Sequence, residues 1–281
     1  MSNKNSNIEN VEMSRYKPLN IEDFYITDDN FEGKVIGVIG SKGGVGTTFI
    51  TSHLAVICSK NDIANDFESE AILVDLNLEN GDIKTIFNQT DHAKDIGDLT
   101  PILNELSNIS VENVVEKTNN GLSIIFSTNN LEKAKEFKEG NINHIVKILK
   151  KLYKYVFLDI PNNLNLCSAK AGINVSDELI LITIPHLLSV IRCNHLLEQI
   201  NSLKNGAITH LVVNRSDSFS AISLKHIEQF LKVPIFKTIP EDLTLGIMFE
   251  QKGTILSNRT DLSLIRSMGD LARKILNFKN S

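Results

Sequence analysis

The chain has 281 residues, 42% of them hydrophobic and 22% charged, and a formal net charge of −5. Such proportions suit a globular protein of one large α/β domain or two small ones, and the acidic balance argues against non-specific attachment to DNA through a broad basic surface. Cys58, Cys167 and Cys193 lie far apart with no C-x-x-C pair, so buried free thiols in a reducing cytosol are expected, and no run approaches the roughly 18 apolar residues of a membrane span.

Residues 1–32 are rich in Asn, Ser, Asp and Glu, with isolated aromatics at Tyr16, Phe24, Tyr25 and Phe31. They are expected to form a flexible acidic segment, in which Ile21–Tyr25 docks as a short helix on its own domain or on a partner. Val35–Ile39 is β-branched and ends on a glycine, which suits a buried strand, and Phe49–Cys58 has the mixed apolar spacing of a buried helix. Between them runs Ser41-Lys42-Gly43-Gly44-Val45-Gly46-Thr47-Thr48. Its three glycines permit a tight turn that points several N–H groups inward. With the positive end of the following helix, these groups make a nest for phosphate. Thr48 stands where a P-loop hydroxyl binds Mg²⁺.

Asn61–Glu70 reads as a polar loop and Ala71–Leu76 as a second buried strand. A strand ending on a carboxylate in an open α/β sheet aims it at the ligand crevice, which makes Asp75 a candidate for the Mg²⁺ shell. Lys84–Asn119 reads as helices with polar breaks, among them 99–106 and 111–116. His92 and Asp98 lie in this surface region, and no second residue is spaced to make a metal site with His92. Leu122–Phe126 is the next strand. The apolar spacing of Ile142, Ile145, Val146, Leu149 and Leu152 makes 141–153 a helix whose lysine edge is a solvated face. Tyr155–Ile160 is four apolar residues closing on Asp159, which can hold Mg²⁺ through water. Pro161–Asn165 follows as a short loop.

Leu179–Ile184 is another buried strand and Leu187–Leu203 an amphipathic helix. Ile208–Val213 leads into Asn214-Arg215, and Ile235–Ile239 into Pro240-Glu241-Asp242. An Asn offers both a donor and an acceptor, the pair that an adenine edge requires. The apolar face of the final helix, 261–278, is expected to pack in the core rather than on a membrane. Strands alternate with helices throughout 33–281 without a repeat or linker. The expectation is therefore one α/β domain, with a mainly parallel sheet covered by helices on both faces.

The loop departs from G-x-x-x-x-G-K-[ST]: Ser41 occupies the first glycine and Thr47 the lysine, while a lysine appears early, at Lys42. A Lys-Gly-Gly-Val-Gly loop with an early lysine resembles the deviant Walker A motif of the ParA/MinD superfamily. The small residue at 47 and the Gly81-Asp82 pair after Asp75-Leu76-Asn77 resemble the CpaE/TadZ branch, which serves tight-adherence (Flp) pilus assembly. The resemblance implies an ATP-binding, Mg²⁺-dependent, homodimeric protein. Gly43, Gly44, Val45, Gly46 and Thr47 would cradle phosphates, and Thr48, Asp75 and Asp159 would arrange the metal. Lys42 and Asp75 would carry the catalytic roles, with Lys42 reaching a partner's nucleotide. Asn214 and Arg215 would meet the adenine, and the turn at Pro240 and Asp242 would wrap it. The second Asp of the family's D-x-D segment is Asn77 here, so hydrolysis is expected to be weak or absent. The implied location is cytoplasmic, at a pole or at the inner face of the membrane through partners from the pilus or secretion machinery, with no specific nucleic acid. An active MinD/ParA-like ATPase switch and a nucleotide-free scaffold are the alternatives.

Overall fold

The structure is a computed structural model that describes residues 32–59, 71–89, 93–118, 121–128, 130–203, 208–217, 220–243 and 263–276. The expectations for 1–31, for the loop 61–70 and for His92 lie outside the described residues.

The described residues form one eight-stranded sheet. In chain order its strands are β1 (Lys34–Gly40), β2 (Ala71–Asp75), β3 (Glu116–Lys117), β4 (Ser123–Ile125), β5 (Tyr155–Ile160), β6 (Glu178–Thr183), β7 (Ile208–Ser216) and β8 (Ile235–Pro240). Across the sheet the order is β3-β4-β2-β5-β1-β6-β7-β8, and every pair is parallel except β3 with β4. Strands β2, β5 and β6 are buried along their whole length, because helices cover both faces. That is why their sequences read as continuous apolar runs rather than as alternation.

One face carries α1 (Thr47–Ser59) and α9 (Ser263–Ile275), whose Ile50, Leu54, Met268 and Leu271 pack with Ile36, Val38, Leu73 and Phe157. The other carries α5 (Glu139–Leu152), α6 (Cys167–Val175) and α7 (Leu187–Leu203), packed on Val35, Val74, Leu158 and Leu181. The apolar stripe of α9 is thus committed to the core, as its spacing predicts. Among the described residues no helix is long and apolar enough to cross a membrane.

Two stretches expected to be helical differ. The chain over Ile96–Ile102 is a 3₁₀ helix, capped reciprocally by Asp95 and Asp98, with Pro101 inside it. Proline there removes a donor that an α-helix would need. Helix α3 (Asn108–Glu112) starts at a Ser107 capping box and stops early, and Glu116–Lys117 then pairs antiparallel with Ile124 and Ser123. The free edge of β4 outcompetes continued helix. The short helices α2 (Ile83–Ile86) and α4 (Leu131–Glu136) and the longer α6 and α8 (Leu224–Leu231) complete the described elements. In α6 the small residues Ala169, Ala171 and Gly172 let it approach the sheet closely, so it has no long apolar stripe to announce it.

Candidate functional site

Because the central strands are parallel, their carboxyl ends share one edge. That edge gathers Gly40, Asp75, Asp159, Thr183, Asn214 and Pro240 from six strands. The glycine loop leaves β1 here and turns into α1.

The loop owes its shape to Gly44 and Gly46, at φ +79° and +95°. Residues with a side chain rarely adopt that region. Gly43 and Gly44 are exposed, and a Cβ built on either would meet nothing within 4 Å. Their backbone therefore borders open space, as a phosphate cradle must. Val45 is buried, and its carbonyl accepts a hydrogen bond of 2.8 Å from Asn214 Nδ2. Lys42 is half-buried, with Nζ donating to the Gly43 carbonyl at 3.3 Å. Thr47 turns its hydroxyl back towards β1, where a Cβ on Gly40 would fall 2.2 Å from it. Ser41 is buried, and its hydroxyl lies 2.9 Å from Ser189 and 3.2 Å from Thr183, which are themselves 3.2 Å apart. This hydroxyl cluster anchors the start of the loop to β6 and α7 and accounts for serine at the first glycine position.

Thr48 Oγ1 donates to Asp159 Oδ2 at 2.7 Å. Thr51, one turn on, donates to the Thr47 carbonyl at 2.8 Å and stands 3.3 Å from Asp159 Oδ1. Asp75 and Asp159 sit side by side in the β2–β5 register. Asp75 is fully buried and accepts from Ser127 Oγ and from the Asn77 amide, both at 3.0 Å. Burial first, and then the charge of Asp159, push the Asp75 carboxyl above the usual carboxylate range. Burial also raises Asp159, with the Thr48 and Thr51 hydroxyls opposing it and the charge of Asp82 adding to it. Two such carboxylates beside a hydroxyl form an oxygen donor set suited to a hard cation.

The two turns expected around a base also come together. Ser216, next to Arg215, pairs with Pro240 across β7–β8, which places Asn214 and Arg215 beside the Pro240–Asp242 turn. Arg215 is exposed and Asp242 half-buried. Asn214 has given one amide N–H to Val45, which leaves its second N–H and its Oδ1.

Sequence reasoning passed over Ser127, Thr51, Thr183 and Ser189, because small hydroxyl residues carry no signal until a fold brings them to a carboxylate or to one another. It also left the side chain of Asn77 without a place. That amide donates to the Asn80 carbonyl at 2.6 Å and closes the 77–80 turn. Asn77→Asp therefore does not simply restore a catalytic carboxylate. It sets a carboxylate oxygen against a carbonyl oxygen, and is expected to lower stability by about 0.5–1.5 kcal/mol without raising ATP turnover. Urea unfolding and phosphate release on the one variant check both halves, and an unchanged midpoint with faster turnover would contradict them.

A glycine-rich strand-to-helix loop facing two strand-end carboxylates defines the class of P-loop α/β proteins. The AAA domain family model (AAA_31) matches residues 33–213. The chain belongs to this family, within the ParA/MinD superfamily. It is 24% identical over 258 residues to the septum site-determining protein MinD of Helicobacter pylori, covering 86% of this chain and 90% of that one. It is 24% identical over 226 residues to an uncharacterised ATP-binding protein of Methanocaldococcus jannaschii, covering 80% of this chain and 81% of that one. Among solved structures it resembles a ParA family ATPase from Chlorobium tepidum, with a TM-score of 0.76, 23% identity, and coverage of 86% of this chain and 98% of that one. The Mg-ADP complex of MinD from Pyrococcus horikoshii aligns with a TM-score of 0.72 at 19% identity, over 86% of this chain and 96% of that one.

Proposed function

We propose that this protein binds ATP with Mg²⁺, dimerises in response, hydrolyses ATP slowly if at all, and acts in the cytoplasm as a CpaE/TadZ-like localisation and assembly factor for tight-adherence pili. The observation that carries the reading is the Thr48–Asp159 hydrogen bond beneath an open glycine cradle that has a threonine, not a lysine, at residue 47. The residues fit the ligand: Gly43–Thr47 offer backbone N–H groups to phosphate, and Thr48, Asp75 and Asp159 offer oxygens to Mg²⁺. When bound, Mg²⁺ neutralises phosphate charge and polarises the phosphoryl oxygens. Asn214 Oδ1 would accept from the amino group of adenine, with Arg215, Pro240 and Asp242 around the base.

Low turnover follows from charge. Thr47 adds no cation, and its hydroxyl is turned towards Gly40. Lys42 is then the loop's own positive group, and its half-buried place at the edge of the loop suits a reach into a second subunit's site. With Asn77 spent on its turn, no carboxylate stands at that point to orient water. The pilus assignment is supported by Thr47 and the Gly81-Asp82 pair, the two features shared with that branch.

Light scattering and phosphate release, with and without Mg-ATP, test the reading on the natural chain and on Lys42→Ala. The expected result is a doubled mass with ATP that Lys42→Ala loses, and little phosphate released by either. Mg-ATP should also raise stability by about 2.7 kcal/mol at a hundredfold excess over Kd. Rapid hydrolysis would favour an active ATPase switch, and a melt unmoved by millimolar Mg-ATP would favour a nucleotide-free scaffold. Deletion in the source cell, scored by counting surface pili, tests the pathway.

A further inference from the structure

The segment after β2 carries a second carboxylate towards the site. Its backbone wraps the carboxylate of Asp75: Gly81 lies so close that a Cβ there would fall 1.7 Å from Ser127 Oγ and 2.2 Å from Asp75 Oδ2. Two residues on, the backbone of Ile83 faces the same Asp75 carboxylate and helps to lower its pKa. Asp82 is held between these two contacts. It occupies the N-cap of α2, yet its side chain makes no capping bond, and its carboxylate has no hydrogen bond or ion pair among the described residues. It is exposed, and its charge is felt at Asp159 across the site. The nearest other carboxylate of the loop, Glu79, is felt instead at Cys167 on α6.

We propose that Asp82 supplies the carboxylate that Asn77 lacks, as an outer-sphere ligand that accepts a hydrogen bond from a water on the nucleotide's Mg²⁺. The inference rests on the Mg-nucleotide reading above and deepens it. Three observations support it together. Asp82 lies between Gly81 and Ile83, whose backbone lies against Asp75. Its carboxylate, like that of Glu79, has no hydrogen bond or ion pair among the described residues, but it alone adjoins the close contact of Gly81 with Asp75. Asn77, at the position where the superfamily has its second carboxylate, has its side chain committed to Asn80. Mg²⁺ keeps several waters when it binds phosphates and few protein ligands, so an ionised oxygen just beyond the inner ligands has a defined task. Asp82 is a positioning residue in this scheme: it touches the hydration shell, not the phosphate.

The test is the Mg²⁺ dependence of ATP binding, read by calorimetry. ATP is titrated into the full chain in EDTA, and Mg²⁺ is then titrated into the protein with ATP present. Mn²⁺ replaces Mg²⁺ in a parallel run followed by electron paramagnetic resonance. Asp82→Asn keeps an N-cap residue type of equal quality, so the unliganded melt should not move. It is expected to weaken Mg²⁺ affinity about 10- to 100-fold, the range for loss of an outer-shell partner, and to leave Mg-free ATP affinity as it was. Glu79→Gln removes the same charge from the same loop and should leave both affinities unchanged. Natural-like Mg²⁺ affinity in Asp82→Asn, or an equal loss in Glu79→Gln, would overturn the inference and leave the ATP reading standing. A natural chain that binds no ATP with or without metal would overturn both.

Discussion

Gly46→Ala should abolish ATP binding and cost stability as well. At φ +95° an alanine is strained whatever space surrounds it, and here the space is also taken: its Cβ would sit 2.5 Å from Asn214 Nδ2. The amide would have to leave the carbonyl of Val45, which is buried with it. Strain of this kind costs about 1–3 kcal/mol, and an orphaned buried hydrogen-bonding group about as much again. The loss in unfolding free energy should therefore be roughly 2–6 kcal/mol. Relief of either penalty moves the loop or swings Asn214 away, and each disturbs the two parts of the site proposed to hold phosphate and base. Denaturant unfolding and an ATP titration read the two effects. Stability within about 0.5 kcal/mol of the natural chain, with ATP affinity retained, would show that the loop is softer than its geometry indicates.

The second large effect is on acid stability and comes from His53. This residue lies in α1, fully buried, with Nδ1 donating to the Phe49 carbonyl at 2.8 Å and its ring 4.0 Å from that of Phe49. Nε2 has no partner among the described residues. Burial pushes its pKa down from 6.5 to about 4, against a smaller upward pull from the Phe49 carbonyl. The sign follows from linkage. Between these two values the unfolded chain binds a proton that the folded chain refuses. The stability associated with neutral His53 is thus fully present above the unfolded value and is lost as pH falls through the folded one. A gap of this size is worth about 3 kcal/mol. His53→Phe should flatten the acid limb of a urea-midpoint profile between about pH 6.5 and 4 by that amount. Asp75 and Asp159, raised by burial, act with the opposite sign over the same window, but they are common to both proteins and drop out of the difference. Parallel profiles for the two proteins would mean that His53 is protonated inside the fold.

Much of the fold was legible in the sequence because it is written in contiguous residues. A buried parallel strand must be apolar on both sides, so β1, β2, β5, β6 and β7 appear as runs of Val, Ile and Leu. A tight turn between strand and helix needs residues free to take positive φ, so the glycine loop could be singled out by Gly43, Gly44 and Gly46, two of which take it. A strand end marks the place of a carboxylate, so Asp75 and Asp159 could be singled out, and Thr48 by its distance from the glycines. Less was legible where the determinant is a neighbour distant in sequence. Helix α6 has no long stripe because it lies against the close-packed centre of the sheet. The two-residue β3 exists only because β4 presents an edge.

By itself, then, the sequence determined the parallel α/β plan, the glycine loop and the residue types at its mouth, since each follows from local spacing and side-chain chemistry. Only the tertiary structure decided which hydroxyl meets which carboxylate: Thr48 with Asp159, Ser127 with Asp75, and Ser41 with Ser189 and Thr183, across 111, 52, 148 and 142 residues of chain. It also decided that Asn77 closes a turn while the Asp82 side chain has no partner among the described residues, though the two are five residues apart. The physical reason is that a polar side chain's role is set by the partners left to it once the backbone has folded, and those partners are brought by strand order and register rather than by adjacency in the chain.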